Sequence, residues 1–158
     1  MLRFKRTALA LLCCLLLVPS IAAAQGSTMT RERKNLVGGE ILGRGLFVTV
    51  NYERYLTDIF SAGIGVFGIG GNDGAVFILP LYAGLTFGHP HSLYLSGGIT
   101  VFGGSSFDGP GDTAVDSTPV FQIGYQYMAE SGLYVRPAIN YLSEVGIAWP
   151  GFSIGGAF

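Results

Sequence analysis

The sequence predicts an all-β protein: an eight-stranded, antiparallel, up-and-down transmembrane β-barrel preceded by a cleaved signal peptide. Three observations carry that expectation. The 158 residues are 49% hydrophobic and only 12% charged, where an average soluble domain has about 25% charged residues. Twenty-five glycines are spread through the apolar part of the chain, where they would weaken helices. The apolar residues recur with a period of two, the rhythm of a strand with one face in and one face out. With a formal charge of −1, the chain is too apolar for a disordered segment and lacks the basic excess that holds nucleic acid by its phosphates.

Residues 1–24 have the order of an export signal. Arg3, Lys5 and Arg6 precede an apolar run over 8–18, and Pro19-Ser20 leads to Ala22-Ala23-Ala24, an A-x-A cleavage site. The run is too short to span a bilayer as a helix, which needs about 20 residues. Cys13 and Cys14 lie inside it, so the expected mature chain has no thiol, disulfide or cysteine metal site. Removal of the signal leaves 134 residues with six basic and ten acidic side chains, a charge of −4. Residues 25–34, with Arg31-Glu32-Arg33-Lys34, are expected to be a polar periplasmic arm, and 35–158 to be the barrel.

Taken in order, the first strand is expected near 35–42, joined to the second by a tight turn at Gly43-Arg44-Gly45 whose glycines admit positive φ. Strand 45–55 alternates cleanly: Leu46, Val48, Val50 and Tyr52 share one face, Thr49, Asn51 and Glu53 the other. Strands follow near 59–69, 75–87, 92–103, 118–127, 132–142 and 149–158. The stretch 74–107 contains no Asp, Glu, Lys or Arg, yet Pro80, Gly84, Gly88, Pro90, Gly97 and Gly98 exclude a long helix there. The first hairpin rests on parity: bacterial barrels have an even number of strands, and a single strand over 36–55 would leave seven.

Connections alternate in length, short at 55–58, 88–91 and 128–131 and longer at 70–74, 103–117 and 143–148, as expected when short turns face the periplasm. The longer loops carry Asp73, Asp108, Asp112, Asp116 and Glu144, an acidic outer rim suited to the divalent cations that bridge lipopolysaccharide. Tyr52, Phe87, Tyr127 and Phe158 are placed as a periplasmic aromatic girdle, with Phe77, Tyr141, Trp149 and Phe152 toward the outer one.

The chain ends on Phe158 with Phe152 and Ile154 in phase. This resembles the C-terminal signal by which outer-membrane barrels are recognised by the barrel-assembly machinery. The pattern Gly43-x-Gly45-Leu46, then Val50-Asn51-Tyr52-Glu53, with His91-Ser92-Leu93-Tyr94-Leu95-x-Gly97-Gly98 further on, resembles a group of uncharacterised small outer-membrane barrel proteins of Bacteroidetes-type genomes. The resemblance covers most of the expected mature chain. It implies the fold and an outer-membrane location, and it carries over no catalytic residue.

An eight-stranded barrel has an interior just wide enough for side chains to fill. The inward set includes Thr49, Asn51, Tyr82, Tyr94, Gln122, Gln126, Tyr134 and Asn140, alternating with glycines over which the tyrosines can lie. Glu53 and Arg136 are the only charged residues placed well inside strands, each a few residues above a periplasmic turn. The expectation is a buried lumen ion pair, with Asn51, Gln126 and Tyr134 completing its hydrogen bonds.

Two patterns invite chemistry. His89, His91 and Ser92 suggest a hydrolase or a metal pair, and some small outer-membrane barrels modify lipid A with Ser and His. Those enzymes act in the outer leaflet, whereas this turn is assigned to the periplasm, and a metal needs three or four ligands. Asp108, Asp112 and Asp116 suggest calcium, but the spacing fits no EF-hand loop. The expected protein is therefore not an enzyme and has no cofactor or metal. It is expected to present loops at the cell surface among outer-membrane lipid and lipopolysaccharide, with a narrow channel and a lipid A-modifying enzyme as the alternatives.

Overall fold

The computed structural model describes residues 31–71, 74–106, 113–144 and 146–158. The expected signal at 1–24, residues 25–30 of the arm, and Asp73, Asp108 and Asp112 lie outside them. Eight strands follow in chain order: β1 (Asn35–Ile41), β2 (Val48–Tyr55), β3 (Phe60–Gly71), β4 (Gly74–Phe87), β5 (His91–Ser106), β6 (Thr113–Met128), β7 (Leu133–Leu142) and β8 (Ile147–Ala157). Each pairs antiparallel with the next, and β1 pairs with β8 from Leu36↔Ala157 to Ile41↔Phe152, closing the barrel. Closure leaves no free edge in the lower barrel.

The period of two becomes the wall. Along β2 every second residue is buried, starting with Thr49 and ending with Tyr55, and the residues between are exposed. Val50, Ile64, Leu81, Ile99, Ile123 and Ile139 all face outward and are exposed. An apolar exterior around a polar interior inverts the arrangement of a soluble barrel.

Two expectations about boundaries need correction. The loop placed at 103–117 is shorter, because β5 continues to Ser106 and β6 begins at Thr113, with pairs such as Phe102↔Asp116 and Gly104↔Ala114. Gly, Ser and Thr read as loop residues, but cross-strand pairing overrides weak local propensity. The extension is one-sided. The β2 pairing of β3 stops at Val50↔Val66 and the β7 pairing of β6 stops at Val120↔Leu142. The tops of β3–β6 thus form an open half-sheet rising above the closed barrel.

The β1–β2 connection, residues 42–47, is also not the tight turn on the rim that was expected. Positive φ falls on Leu42 (50°) and Leu46 (68°), not on the glycines. Gly43, Arg44 and Gly45 are buried, since the connection folds into the barrel mouth. A Cβ at Gly43 would collide with the Glu40 side chain, and one at Gly45 with Thr49. These glycines supply room rather than turn geometry.

Candidate functional site: the filled lumen

The interior is built in layers from inward-pointing residues of all eight strands. At the end that carries the short turns Leu36, Tyr55, Met128, Tyr134 and Ala157 form an apolar floor. Arg31 closes it from below: its Nε donates to Asp58 O (2.6 Å), its Nη2 to Gly88 O (3.1 Å), and its guanidinium lies 4.3 Å from the Tyr55 ring centroid. At Arg31 the expected polar arm is packed into the barrel end.

Above the floor the structure brings Glu53 and Arg136 together. Arg136 Nη1 donates to Glu53 Oε2 at 2.9 Å, and both side chains are nearly inaccessible to solvent. Ser61 Oγ donates to Glu53 Oε1 (2.6 Å) and Arg136 Nε to Gln126 Oε1 (2.9 Å). Gln126 in turn donates to Tyr55 OH (3.3 Å), which is 2.9 Å from Thr86 Oγ1. The supporting cast differs in part from the expected one. Gln126 is present, but Tyr94 rather than Tyr134 covers the guanidinium, at 3.6 Å against 5.5 Å, and Asn51 serves a different carboxylate.

That carboxylate is Glu40, and it corrects the expectation that Glu53 and Arg136 are the only interior charges. Glu40 is fully buried and lies 3.3 Å from the buried Arg44. Asn51 Nδ2 donates to Glu40 Oε2 (3.1 Å) and Gln122 Nε2 to Glu40 Oε1 (2.8 Å). Arg44 sits 3.4 Å over the Tyr82 ring centroid, and Thr100 Oγ1 donates to its carbonyl (2.8 Å). Trp149 Nε1 and Asn140 Nδ2 both donate to Leu42 O, at 2.7 and 3.2 Å, holding the connection inside. Sequence reasoning missed this layer because Arg44 looked like a turn residue. The available signal was strand phase, since Glu40 shares its face with Leu36 and Gly38.

Tyr94 joins the two layers: its OH accepts from Arg44 Nη1 (3.3 Å) and donates to Glu53 Oε2 (3.5 Å). The tyrosines fit because glycines on neighbouring strands leave room for their rings. Tyr82 lies between Gly63 and Gly98, Tyr94 over Gly84, and Tyr134 beside Gly155. A Cβ at Gly98 would stand 2.7 Å from the Tyr82 Cα, closer than real contacts allow. Guanidinium, carboxylate and phenol therefore cross the lumen at two levels with their charges paired. The arrangement braces the wall.

The other candidates are placed apart. Ser92 points into the barrel and donates to Gly88 O (2.8 Å), while His91 points outward and bonds Tyr125 OH through Nδ1. They stand on opposite faces of β5, so they cannot act as nucleophile and base for each other. Asp116 accepts from its neighbour Ser117 N (2.7 Å). Among the described residues no three His, Cys, Asp or Glu gather to hold a metal. Phe152, Ile154 and Phe158 all face outward on β8 or its end, exposed.

No protein-family model matches the sequence, and no curated protein sequence matches it. Among solved structures, the fold is similar to the N-terminal β-barrel domain of Pseudomonas aeruginosa OprF, with 14% identity, 79% of this chain and 96% of that chain covered, and a TM-score of 0.58. It is also similar to Ail, the attachment invasion locus protein of Yersinia pestis, with 15% identity, coverage of 80% and 98%, and a TM-score of 0.50. At these identities the likeness is one of fold: a closed eight-stranded antiparallel barrel of the kind found among small outer-membrane proteins.

Proposed function

We propose that this protein is an outer-membrane barrel, exported by its 1–24 signal, whose cross-braced lumen is a rigid scaffold and whose open β3–β6 half-sheet is the surface offered to partners outside the cell. The observation that carries the reading is the contrast between a closed lower barrel and the extension above it. Five residues of β3 beyond Val66 have no β2 partner, and seven of β6 before Val120 have no β7 partner. At about 3.3 Å per residue the extension rises roughly 15–20 Å. Its inner face is apolar and exposed at Ile69 and Val76. Function carried on segments held by a rigid scaffold is the general case, and unpaired strand edges are templates for a partner strand.

Several further elements belong to this reading. The apolar outer face sits in lipid because only a closed barrel satisfies strand hydrogen bonds there. The short turns face the periplasm, Phe152, Ile154 and Phe158 form the assembly signal, and the acidic rim faces lipopolysaccharide. The Glu53–Arg136 pair is structural. The kinship suggested by the His91–Gly98 motif points to the same home.

Cysteine labelling tests location and orientation together, because the processed chain would carry no native thiol. In intact cells a membrane-impermeant thiol reagent should label Ile69→Cys, and label Glu130→Cys only after the outer membrane is permeabilised. The reverse pattern would invert the topology, and recovery of both in the soluble fraction would end the membrane reading. Stepwise conductance in planar bilayers would show that the lumen is a channel and not a brace.

A further inference from the structure

Above the closed barrel the sheet ends in free edges, and backbone phase decides which of them can take another strand. In β3, Phe60 O accepts from Leu56 N on the β2 side (2.8 Å), while Ile59 O, one residue earlier, accepts from Thr86 N on the β4 side (2.8 Å). Even-numbered residues of β3 therefore turn their N–H and C=O groups toward β2. The last β2 pair is Val50↔Val66, so Gly68 and Gly70 present theirs to the space that β2 leaves where residues 42–47 turn into the mouth. Neither is a proline, and neither has a side chain to cover the edge.

The other free edges are blunted. In β6, Pro119 O accepts from Ser143 N (3.4 Å), so odd-numbered residues face β7. Above the last pair, Val120↔Leu142, Pro119 has no N–H to offer and the N–H of Ser117 is held by Asp116 Oδ1 at 2.7 Å. In β8, Phe158 O accepts from Asn35 N (3.0 Å), so even-numbered residues face β1. Beyond the last pair, Ile41↔Phe152, the next of these is Pro150. Prolines and locally satisfied donors are how sheets refuse a further strand. Of the three edges β3 alone has neither.

The surroundings of the β3 edge specify what it takes. A Cβ on Gly70 would meet only the Ala75 Cβ, at 3.7 Å, and one on Gly71 would meet nothing within 4 Å, so the outward side is bare. Phe67 and Ile69 lie in the inward phase, and Ile69 is exposed. A strand added antiparallel to β3 sets one phase of its side chains over the glycines and the other beside Phe67 and Ile69. An aromatic ring over an edge glycine is a favourable cross-strand match, and the lumen already uses it where Tyr82 lies over Gly63 and Tyr134 over Gly155. Charge sets the ends of the strand. Asp73 follows Gly71 by two residues, the other long loops carry Asp108, Asp112, Asp116 and Glu144, and the basic residue among the connections on this rim, Arg44, is buried against Glu40.

We propose that the β3 edge at Gly68 and Gly70 receives one extended strand of an extracellular polypeptide, with aromatic residues in the phase over the glycines, aliphatic residues in the other phase, and basic residues at its ends. The proposal rests on the outward-facing half-sheet of the proposed function and adds which edge binds and what it selects.

The probe is a fluorescein-labelled peptide of three Tyr-Val repeats between pairs of lysines, followed by polarisation against the purified barrel in phosphatidylcholine nanodiscs, with an unboiled gel reporting the folded protein. It should bind with one peptide per barrel. N-methylation of its tyrosine amides, which face β3 when the rings lie over the glycines, should weaken binding about tenfold or more, whereas N-methylation of its valine amides, which face away, should change it by no more than about twofold. Gly70→Pro, which removes the edge donor, should likewise cost about tenfold, and Gly70→Ala, which keeps it, should retain binding. Equal behaviour of the two methylated peptides, parental binding by a folded Gly70→Pro barrel, or no binding of the unmodified peptide would overturn the edge. Glutamates in place of the lysines should abolish binding, and undiminished binding would overturn the stated charge of the partner. Labelling of Ile69→Cys in cells only after permeabilisation, with peptide binding intact in nanodiscs, would count against the extracellular reading and not against the edge.

Discussion

The lumen holds two arginine–glutamate pairs that look alike in composition and differ in construction. Glu53 and Arg136 come from β2 and β7, regular strands separated around the barrel by β1 and β8, and meet at 2.9 Å with Ser61 and Gln126 in support. Glu40 and Arg44 come from one hairpin, are four residues apart, and meet at 3.3 Å because residues 42–47 fold inward. The first pair ties distant walls together. The second pins a local connection into the mouth. In the first the arginine is the main partner of its carboxylate; in the second the carboxylate keeps two amide donors, Asn51 and Gln122, without it. Similar chemistry is therefore expected to contribute unequally.

Removing the arginine at each level tests this directly. Arg136→Ala strands a buried carboxylate and opens a gap beneath Tyr94, so it should destabilise the refolded barrel by about 3–5 kcal/mol. Arg44→Ala leaves Glu40 hydrogen-bonded to its amides and should cost about 1.5–3 kcal/mol, the range for bonds to a charged group. Urea unfolding in detergent micelles, followed by the gel shift between folded and unfolded forms, measures both. Equal losses, or a larger loss for Arg44→Ala, would break the distinction between a wall-spanning brace and a local pin.

The same contrast marks what the sequence makes legible. Strand number, the inward face and the juxtaposition of Glu53 with Arg136 follow from a period of two plus position above a short turn, because regular strands convert sequence offset into depth. Arg44 is different. It lies in a six-residue connection, where offset no longer fixes direction, and only the inward fold of Gly43 and Gly45 sends it into the lumen. Similarly, the length of β5 and β6 past Phe102 and before Thr118 depends on pairing between two segments of weak propensity, which no local pattern records. The choice of Tyr94 rather than Tyr134 over Arg136 depends on barrel stagger, which is a property of the closed sheet.

Tyr94 makes the two levels physically continuous, and a double-mutant cycle measures that continuity. Its hydroxyl accepts from Arg44 and donates to Glu53, so losing Arg44 frees Tyr94 to bond Glu53 better when Arg136 is also gone. Arg44→Ala and Arg136→Ala together should therefore cost less than their sum, by about 0.5–1 kcal/mol, at the lower end of couplings within one network. In a Tyr94→Phe background the coupling should vanish. Strict additivity with Tyr94 intact would mean that the layers are independent.

The smallest expected effect separates the lumen from the strand that carries the upper pair. Gly39 is adjacent to Glu40 in β1 but belongs to the opposite, outward phase, and a Cβ there meets nothing within 4 Å. Gly38, on the inward side of Glu40, would drive a Cβ against Tyr134 OH and the Ile154 carbonyl. Gly39→Ala should thus change stability by no more than about 0.5 kcal/mol, the usual limit for a surface position away from special features. Glycine also weakens a strand interior relative to alanine, so a small gain is the expected sign. A loss comparable to that of Arg44→Ala would show that β1 tolerates no change on either face. The cost at the upper pair would then belong to a fragile edge of the barrel closure and not to the charges it encloses.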